Sequence, residues 1–409
     1  MGGVIVGSPS AKSKRSFWQL SAAEARMHAL LLAVGLWTVA AGLLTLGTAY
    51  RDPFDQLKWS DFVQFYEMGD IARNGPASVL YDPEAWYRRQ VALVPESAAE
   101  RYLPVYPPQI ALILAPFSRL SYHVAALFWA LVTITVYAAA VWLAWRGVRA
   151  ALTDSVLVAT AAAAFPPFWN TVLYGQTTAI PILAFSGGAI ALAQERKVLA
   201  GTVMGLLLIK PHFGLLLAVV VLVCREWRVL AGLAISAVAQ GALVAVALGP
   251  AVWFDYAAII PRLAEWRDAL APRPEEMHSL ASVTRVLPDS MALLVWFAAC
   301  VWVAVMTVRV WRSTAPLTLR MGALVLGSLL VNPHVVVYDV AVLAAPLVWL
   351  GGWFEGSSQK SPGLRRQWRM ALYALFVLLL VPTARFVPLQ LSPLVMLWLL
   401  YAASRWRCA

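Results

Sequence analysis

Charge is scarce in this 409-residue chain: 13% of residues are Asp, Glu, Lys or Arg, while 61% are apolar. About a quarter charged is usual for a soluble domain, so a water-soluble globular enzyme is excluded. Cysteine is scarcer still. Cys224, Cys300 and Cys408 fall in or at the ends of apolar stretches or near the C-terminus, which leaves no disulfide framework and no zinc-ligand spacing. Acidic residues number 21 against 32 Lys and Arg, but the basic residues sit in short connections between apolar runs. That is the distribution that orients membrane spans, and it argues against nucleic acid as a partner. Also missing are a P-loop, a dinucleotide fingerprint, a His-Glu-x-x-His pair and a nucleophile elbow. With no soluble domain to hold a nucleotide sugar, any sugar donor would have to be lipid-linked. No internal repeat is visible, which counts against transporters built from inverted repeats.

What the chain does have is many apolar runs of about 18 residues or more, the length a helix needs to cross a bilayer. Backbone groups in lipid must bond within their own segment, so the expected fold is all-α, a polytopic membrane protein forming one integral domain over 1–409. The first span is expected over 27–49, with Lys12, Lys14 and Arg15 ahead of it holding the N-terminus in the cytoplasm as a retained signal anchor. The apolar piece 108–120 is read as a short or re-entrant helix and 122–145 as a full crossing. With that choice Arg146 and Arg149, and the later basic clusters at Arg196 and Lys197, Arg225 and Arg228, Arg309 and Arg312, Lys360 to Arg369, and Arg405 and Arg407, all fall inside. The last spans are placed at 289–308, 318–335, 337–354, 370–384 and 388–404. The total is about twelve crossings plus the short helix, with both termini inside. Between Lys197 and Arg225 there is room only for two helices of about 12 residues, each roughly 18 Å long, so the turn at Lys210-Pro211-His212 should lie below the outer surface and line a cavity.

Two loops are expected outside. The first, 51–106, belongs to a polar stretch that carries nine of the 21 acidic residues. Helical pieces at 60–73 and 83–94 are expected there, with Trp59, Phe62, Phe65, Tyr66, Trp86 and Tyr87 in the headgroup zone. The second, 250–288, holds Trp253, Tyr256, Trp266, five acids and four arginines, and would form another surface helix or a lid.

Ionisable groups in or beside apolar spans mark functional pathways by default. Asp61, Lys210, His212, His334 and Asp339 would all face the outer half of the membrane. A carboxylate beside cationic donors suits transfer from a lipid-linked phosphate: the carboxylate takes a proton from an attacking hydroxyl while Lys and His offset charge on the leaving phosphate. Each also has a plain structural reading. Ser60-Asp61 precedes a helical stretch and would cap it. Lys210 would snorkel, the two histidines would be hydrogen-bonded core residues, and Asp339 would pair with Lys210 or His334. His28 and His123 are assigned nothing. The same charges would also serve a transporter or flippase for a lipid-linked or anionic solute, and a non-catalytic scaffold remains a further alternative.

The ordered set Asp61-Phe62, Gly75, Tyr81-Asp82, Tyr106-Pro107-Pro108, Pro116, Tyr174-Gly175-Gln176, Lys210-Pro211-His212, Asn332-Pro333-His334 and Tyr338-Asp339 resembles glycosyltransferase family 87, over about 27–400. The resemblance implies a GT-C bundle with an extracytoplasmic active site in a bacterial inner membrane. It implies inverting, metal-independent transfer of a hexose, mannose in the polyprenol-phosphate-mannose-dependent members, from a polyprenyl-phosphate sugar to a lipid or glycan acceptor. No cofactor is implied beyond that donor. The family's acid in the first outer loop falls on Asp61, as general base, with Asp52, Asp55 and Asp70 as alternatives. The Lys-Pro-Gln-like motif falls on Lys210-Pro211-His212, with His212 in place of Gln, and the Ser-Pro-His-like motif on Asn332-Pro333-His334. By the same resemblance His334 contacts donor phosphate or sugar and Asp339 orients it or binds hydroxyls. Gln176, Tyr338 and Ser279 of His278-Ser279-Leu280 supply further polar positions.

Overall fold

A computed structural model describes residues 21–266, 273–356 and 362–405. The basic N-terminal residues, Lys360, Arg407 and Cys408 lie outside the described residues. Among those described, every regular element is a helix, and extended pairing is limited to two isolated bridges, Arg51 with Leu57 and Met277 with Val336.

Four helices are long and apolar enough to cross a membrane: Ala22–Thr45, Tyr122–Arg146, Trp227–Leu248 and Asp289–Arg312. Their outward residues are large and apolar, with Leu31, Val246 and Leu294 all exposed, as lipid contact requires. A fifth span is formed if Ser155–Ala163 and Pro166–Tyr174 count as one helix bent by 49°. The bend follows from Pro166-Pro167, which remove two backbone donors where the helix would continue. The other apolar helices, such as Ala179–Ala193, Leu317–Val331 and Ser392–Ser404, fall short of spanning length. Helices of spanning length therefore account for four or five of the twelve expected crossings. As the tight spacing of Lys197 and Arg225 predicted, two short pieces, Lys197–Ile209 and Pro211–Val223, flank the Lys210 turn. The 108–120 piece is short as well, with its α-helix confined to Gln109–Leu114.

The 51–106 segment departs from expectation in part. Its helices occur where the pattern placed them, Phe62–Asn74 and Pro83–Leu93. The first is not a surface helix, since every residue from Phe62 to Ile71 is buried, whereas Pro83–Leu93 lies at the surface and buries only Trp86 and Gln90. Trp59, Phe62, Phe65, Tyr66 and Trp86 form a second hydrophobic core with Ile110, Leu114, Tyr122 and Trp129, and only Tyr87 stays partly exposed. The reason is close packing against the short helix Gln109–Leu114. A Cβ at Gly69 would lie 2.5 Å from the Leu114 carbonyl oxygen, so only glycine permits this approach. The 250–288 segment opens with the amphipathic helix Ala251–Glu265, whose Val252 and Ile259 are buried in the same core. Tyr256 packs on Tyr81 with ring centroids 5.4 Å apart, so this helix braces the first loop from the side.

Candidate active site

The site forms where the second core meets the membrane bundle, and one glycine sets its dimensions. Gly175 ends the helix Pro166–Tyr174 in the left-handed region, at φ 72°. Its carbonyl accepts the Trp129 indole N–H at 3.0 Å, and a Cβ there would stand 2.6 Å from the Phe62 Cβ. Glycine thus allows the two backbones to touch, which brings Gln176 against the residue before Phe62. The Gln176 Nε2 donates to Asp61 Oδ2 at 2.6 Å.

From Gln176 the network runs inward. Lys210 Nζ donates to Gln176 Oε1 at 3.1 Å, to Thr178 Oγ1 at 3.0 Å and to Asp339 Oδ1 at 2.7 Å. An ammonium group has three protons and no acceptor, so all of them are used. Because Lys210 can only donate, it holds the Gln176 oxygen toward itself and turns the amide NH2 toward Asp61. Tyr106 donates weakly to the same oxygen at 3.4 Å. The Asp339 carboxylate also accepts from the Val336 amide at 3.3 Å. Tyr338 lies under the Lys210 ammonium, 5.2 Å from Nζ to ring centroid, and its hydroxyl adds a stabilising contact to Asp61.

Several expectations are resolved by this arrangement. Asp61 occupies the N-cap position of Phe62–Asn74, but its backbone is already helical and its side chain caps nothing. Lys210 does not snorkel. It is 2% exposed and paired with Asp339, the structural reading of that aspartate. All three of its donors are engaged by Gln176, Thr178 and Asp339. His212 and His334 both stand close enough to Lys210 and Asp339 to feel their charges. His212 Nε2 is buried without a hydrogen-bond partner, whereas His334 is exposed at the rim. The alternative carboxylates are elsewhere: Asp52 accepts from the Phe54 and Gln56 amides, Asp55 is paired with Arg51, and Asp70 with Arg89 and Arg73. Thr178 and the Tyr106 hydroxyl were missed as site residues. Thr178 follows Gln176 by two positions, and the polar run Gln176-Thr177-Thr178 in an apolar context was the available signal.

Electrostatically, Asp61 stands out within this network. It lies in the 51–106 segment, outside the helices of spanning length, and burial pushes its carboxyl up to about 6, against the opposing pull of the Gln176 hydrogen bond, the Lys210 charge and the Tyr338 hydroxyl. A carboxyl poised near neutrality can both hold and release a proton at working pH. Beside the site runs a mostly apolar groove of about 770 Å³, lined by Pro107, Gln109, Leu208, Pro211, Val238 and Trp253 among others. A second cavity of about 330 Å³, near Asp154, Glu355 and Arg369, shares no residue with the site. Among the described residues, no three His, Cys, Asp or Glu side chains form a metal-holding group.

Among the described residues, an all-helical chain with helices of membrane-spanning character and an enclosed polar network between two cores has the make-up of an integral membrane protein. The model of glycosyltransferase family 87 matches residues 105–333, and the chain belongs to that family. It is thus a membrane glycosyltransferase. The match contains Tyr106, Gln176, Lys210 and His212 and stops just before His334, so it is narrower than the 27–400 suggested by the ordered motifs. No curated protein and no solved structure matches the chain.

Proposed function

We propose that this glycosyltransferase moves a hexose, mannose first among the candidates, from a polyprenyl-phosphate carrier to a hydroxyl of a lipid or glycan acceptor at the outer face of the bacterial inner membrane, with both chain termini in the cytoplasm. The observation that carries the reading is the Asp61 carboxyl, held by Gln176 and raised to about 6 beside a buried cation. In mechanism, Asp61 takes the proton of the acceptor hydroxyl as its oxygen attacks C1 of the donor sugar. The bond from C1 to the phosphate oxygen breaks, and the electron pair leaves with polyprenyl phosphate. A single displacement of this kind inverts C1.

Charge developing on the phosphate is met by His212 and His334, which have free ring nitrogens, while Lys210 acts through its field and through Gln176. Tyr338 and Asp339 fix the floor of the site and the lysine. The carrier's tail lies in the groove beside Pro107 and Pro211, whose walls are mostly apolar and whose Pro211 immediately precedes His212 in the chain. The acceptor enters at the exposed rim between Tyr174 and His334.

The test is transfer of radiolabelled mannose from polyprenyl-phosphate-mannose in membranes holding wild type, Asp61→Asn or His334→Ala at matched levels. Labelled lipid or glycan from wild type alone is the expected result. Equal product from Asp61→Asn would remove the base assignment, and no product from any of them would remove the donor.

A further inference from the structure

A buried polar cluster outside the site ties three outer segments together. The His278 amide donates to the Val335 carbonyl at 2.8 Å, and Met277 and Val336 form an antiparallel bridge. The Ser279 hydroxyl donates to the Pro333 carbonyl at 3.2 Å. From the other side, His278 Nδ1 lies 2.7 Å from Ser392 Oγ. Gln390 donates to the Glu275 carbonyl at 3.0 Å and accepts from both the amide and the hydroxyl of Thr383. His278, Ser279, Gln390 and Ser392 are each 1% exposed or less.

Four buried polar side chains are costly unless each is satisfied, and a satisfied network holds its members in one arrangement. What this one holds is the backbone from Pro333 to Val336. His334 sits inside that stretch, with an exposed ring that makes no hydrogen bond to the described residues. Nothing on its own side chain aims it. Its backbone is held by the Asn332 side chain at its amide, by Ser279 on the residue before and by His278 on the residue after.

We propose that His278 and Ser279 are positioning residues: they clamp the 333–336 segment so that the His334 ring faces the donor side of the site. The inference rests on the reading above for what His334 contacts, but its geometric part does not. The clamp also makes the 275–279 segment and the Asn332-Pro333-His334 motif one mechanical unit, which gives the His278-Ser279-Leu280 stretch a reason to be there.

The experiment uses the full chain in lipid nanodiscs, with amide hydrogen exchange across 334–338 and affinity for undecaprenyl phosphate as the two readouts. Ser279→Ala removes the bond to the Pro333 carbonyl, and His278→Ala removes the Ser392 contact that holds the His278 backbone against Val335; each should speed exchange in that segment about tenfold, as loss of one buried hydrogen bond allows, and leave Phe62–Asn74 unchanged. Both should weaken undecaprenyl phosphate about tenfold. His278→Asn, whose amide reaches the place of Nδ1, should restore both. On a His334→Ala background, His278→Ala should cost no further affinity. Unchanged exchange at 334–338 in the Ala variants, or a full additional loss of affinity on the His334→Ala background, overturns the proposal. If His334→Ala binds the lipid as wild type does while exchange still rises, the phosphate role of His334 fails and the clamp stands. Should His278→Ala not fold, Ser279→Ala and its double variant with His334→Ala carry the same comparison.

Discussion

Asp61 joins two demands that conflict. Its folded-state carboxyl titrates near 6 where the ordinary value is 3.8, with burial as the cause. An acid raised in this way contributes its full share of stability below the ordinary value and loses it as pH rises through the folded one. At pH 7 the ionised form is therefore a cost to the fold and a requirement for the reaction. Asp61→Asn should unfold at a temperature equal to or above that of wild type at pH 7, while turnover falls by about 10²–10⁴-fold, the usual worth of a positioned base. In wild type, kcat/KM should climb with pH to a plateau, with a midpoint near 6. A profile flat from pH 5 to 8 would mean that Asp61 does not accept the proton. Lys210 and Asp339 behave differently. Each is buried and each is the other's counter-charge, so Lys210→Met or Asp339→Asn alone should destabilise by about 3–5 kcal/mol, through the charge left behind. Lys210→Met combined with Asp339→Leu should recover most of that stability without recovering transfer, because Gln176 would no longer be turned toward Asp61. Thermal unfolding with a parallel transfer assay separates the two effects.

At the level of elements, the decisive contact is between the end of Pro166–Tyr174 and the start of Phe62–Asn74. Gly175→Ala asks a residue with a side chain to hold φ near 72°, a cost of about 1–2 kcal/mol, and drives its Cβ into Phe62. The expected outcome is a loss of transfer larger than the loss of stability, since the two helix ends must part and carry Gln176 away from Asp61. Equal activity at matched folded protein would show that the Gln176 contact is dispensable. The element scale also shows how far the sequence is legible. Helices at Phe62–Asn74 and Pro83–Leu93 could be read from their patterning, and the turn at Lys210 from the shortness of its flanks. Their surroundings could not. A helix carrying Phe62, Phe65 and Tyr66 has the same pattern whether it lies on lipid headgroups or inside a second core, because hydropathy registers the need for burial and is blind to what supplies it.

Among the described residues, two cores share the work: one in the apolar helix bundle, the other built on the 51–106 segment and Ala251–Glu265, with the polar network at their boundary. The apolar groove runs along that boundary. Ala242 lines it, so Ala242→Trp should raise KM for a long-chain polyprenyl-phosphate sugar about tenfold, the worth of two unburied methylenes at ~0.8 kcal/mol each. A donor with a short prenyl chain should be unaffected. An equal change for both donors would place the tail elsewhere.

The sequence by itself determined that the protein is helical, that it lives in a membrane, and which polar residues stand out against an apolar background, because lipid tolerates only self-bonded backbone and makes every buried charge conspicuous. It also singled out Asp61, Gln176, Lys210, His212, His334, Tyr338 and Asp339 and led to the expectation that they share one side. Only the tertiary structure decided which of them touch. Asp61 and Gln176 are separated by more than a hundred residues, and Lys210 and Asp339 by still more. Whether Lys210 faces a phosphate or closes on Asp339 is a matter of a few ångströms, set by a glycine at position 175 and a tight turn at 336–339. Local pattern fixes neither separation, since both depend on how helices distant along the chain pack against each other.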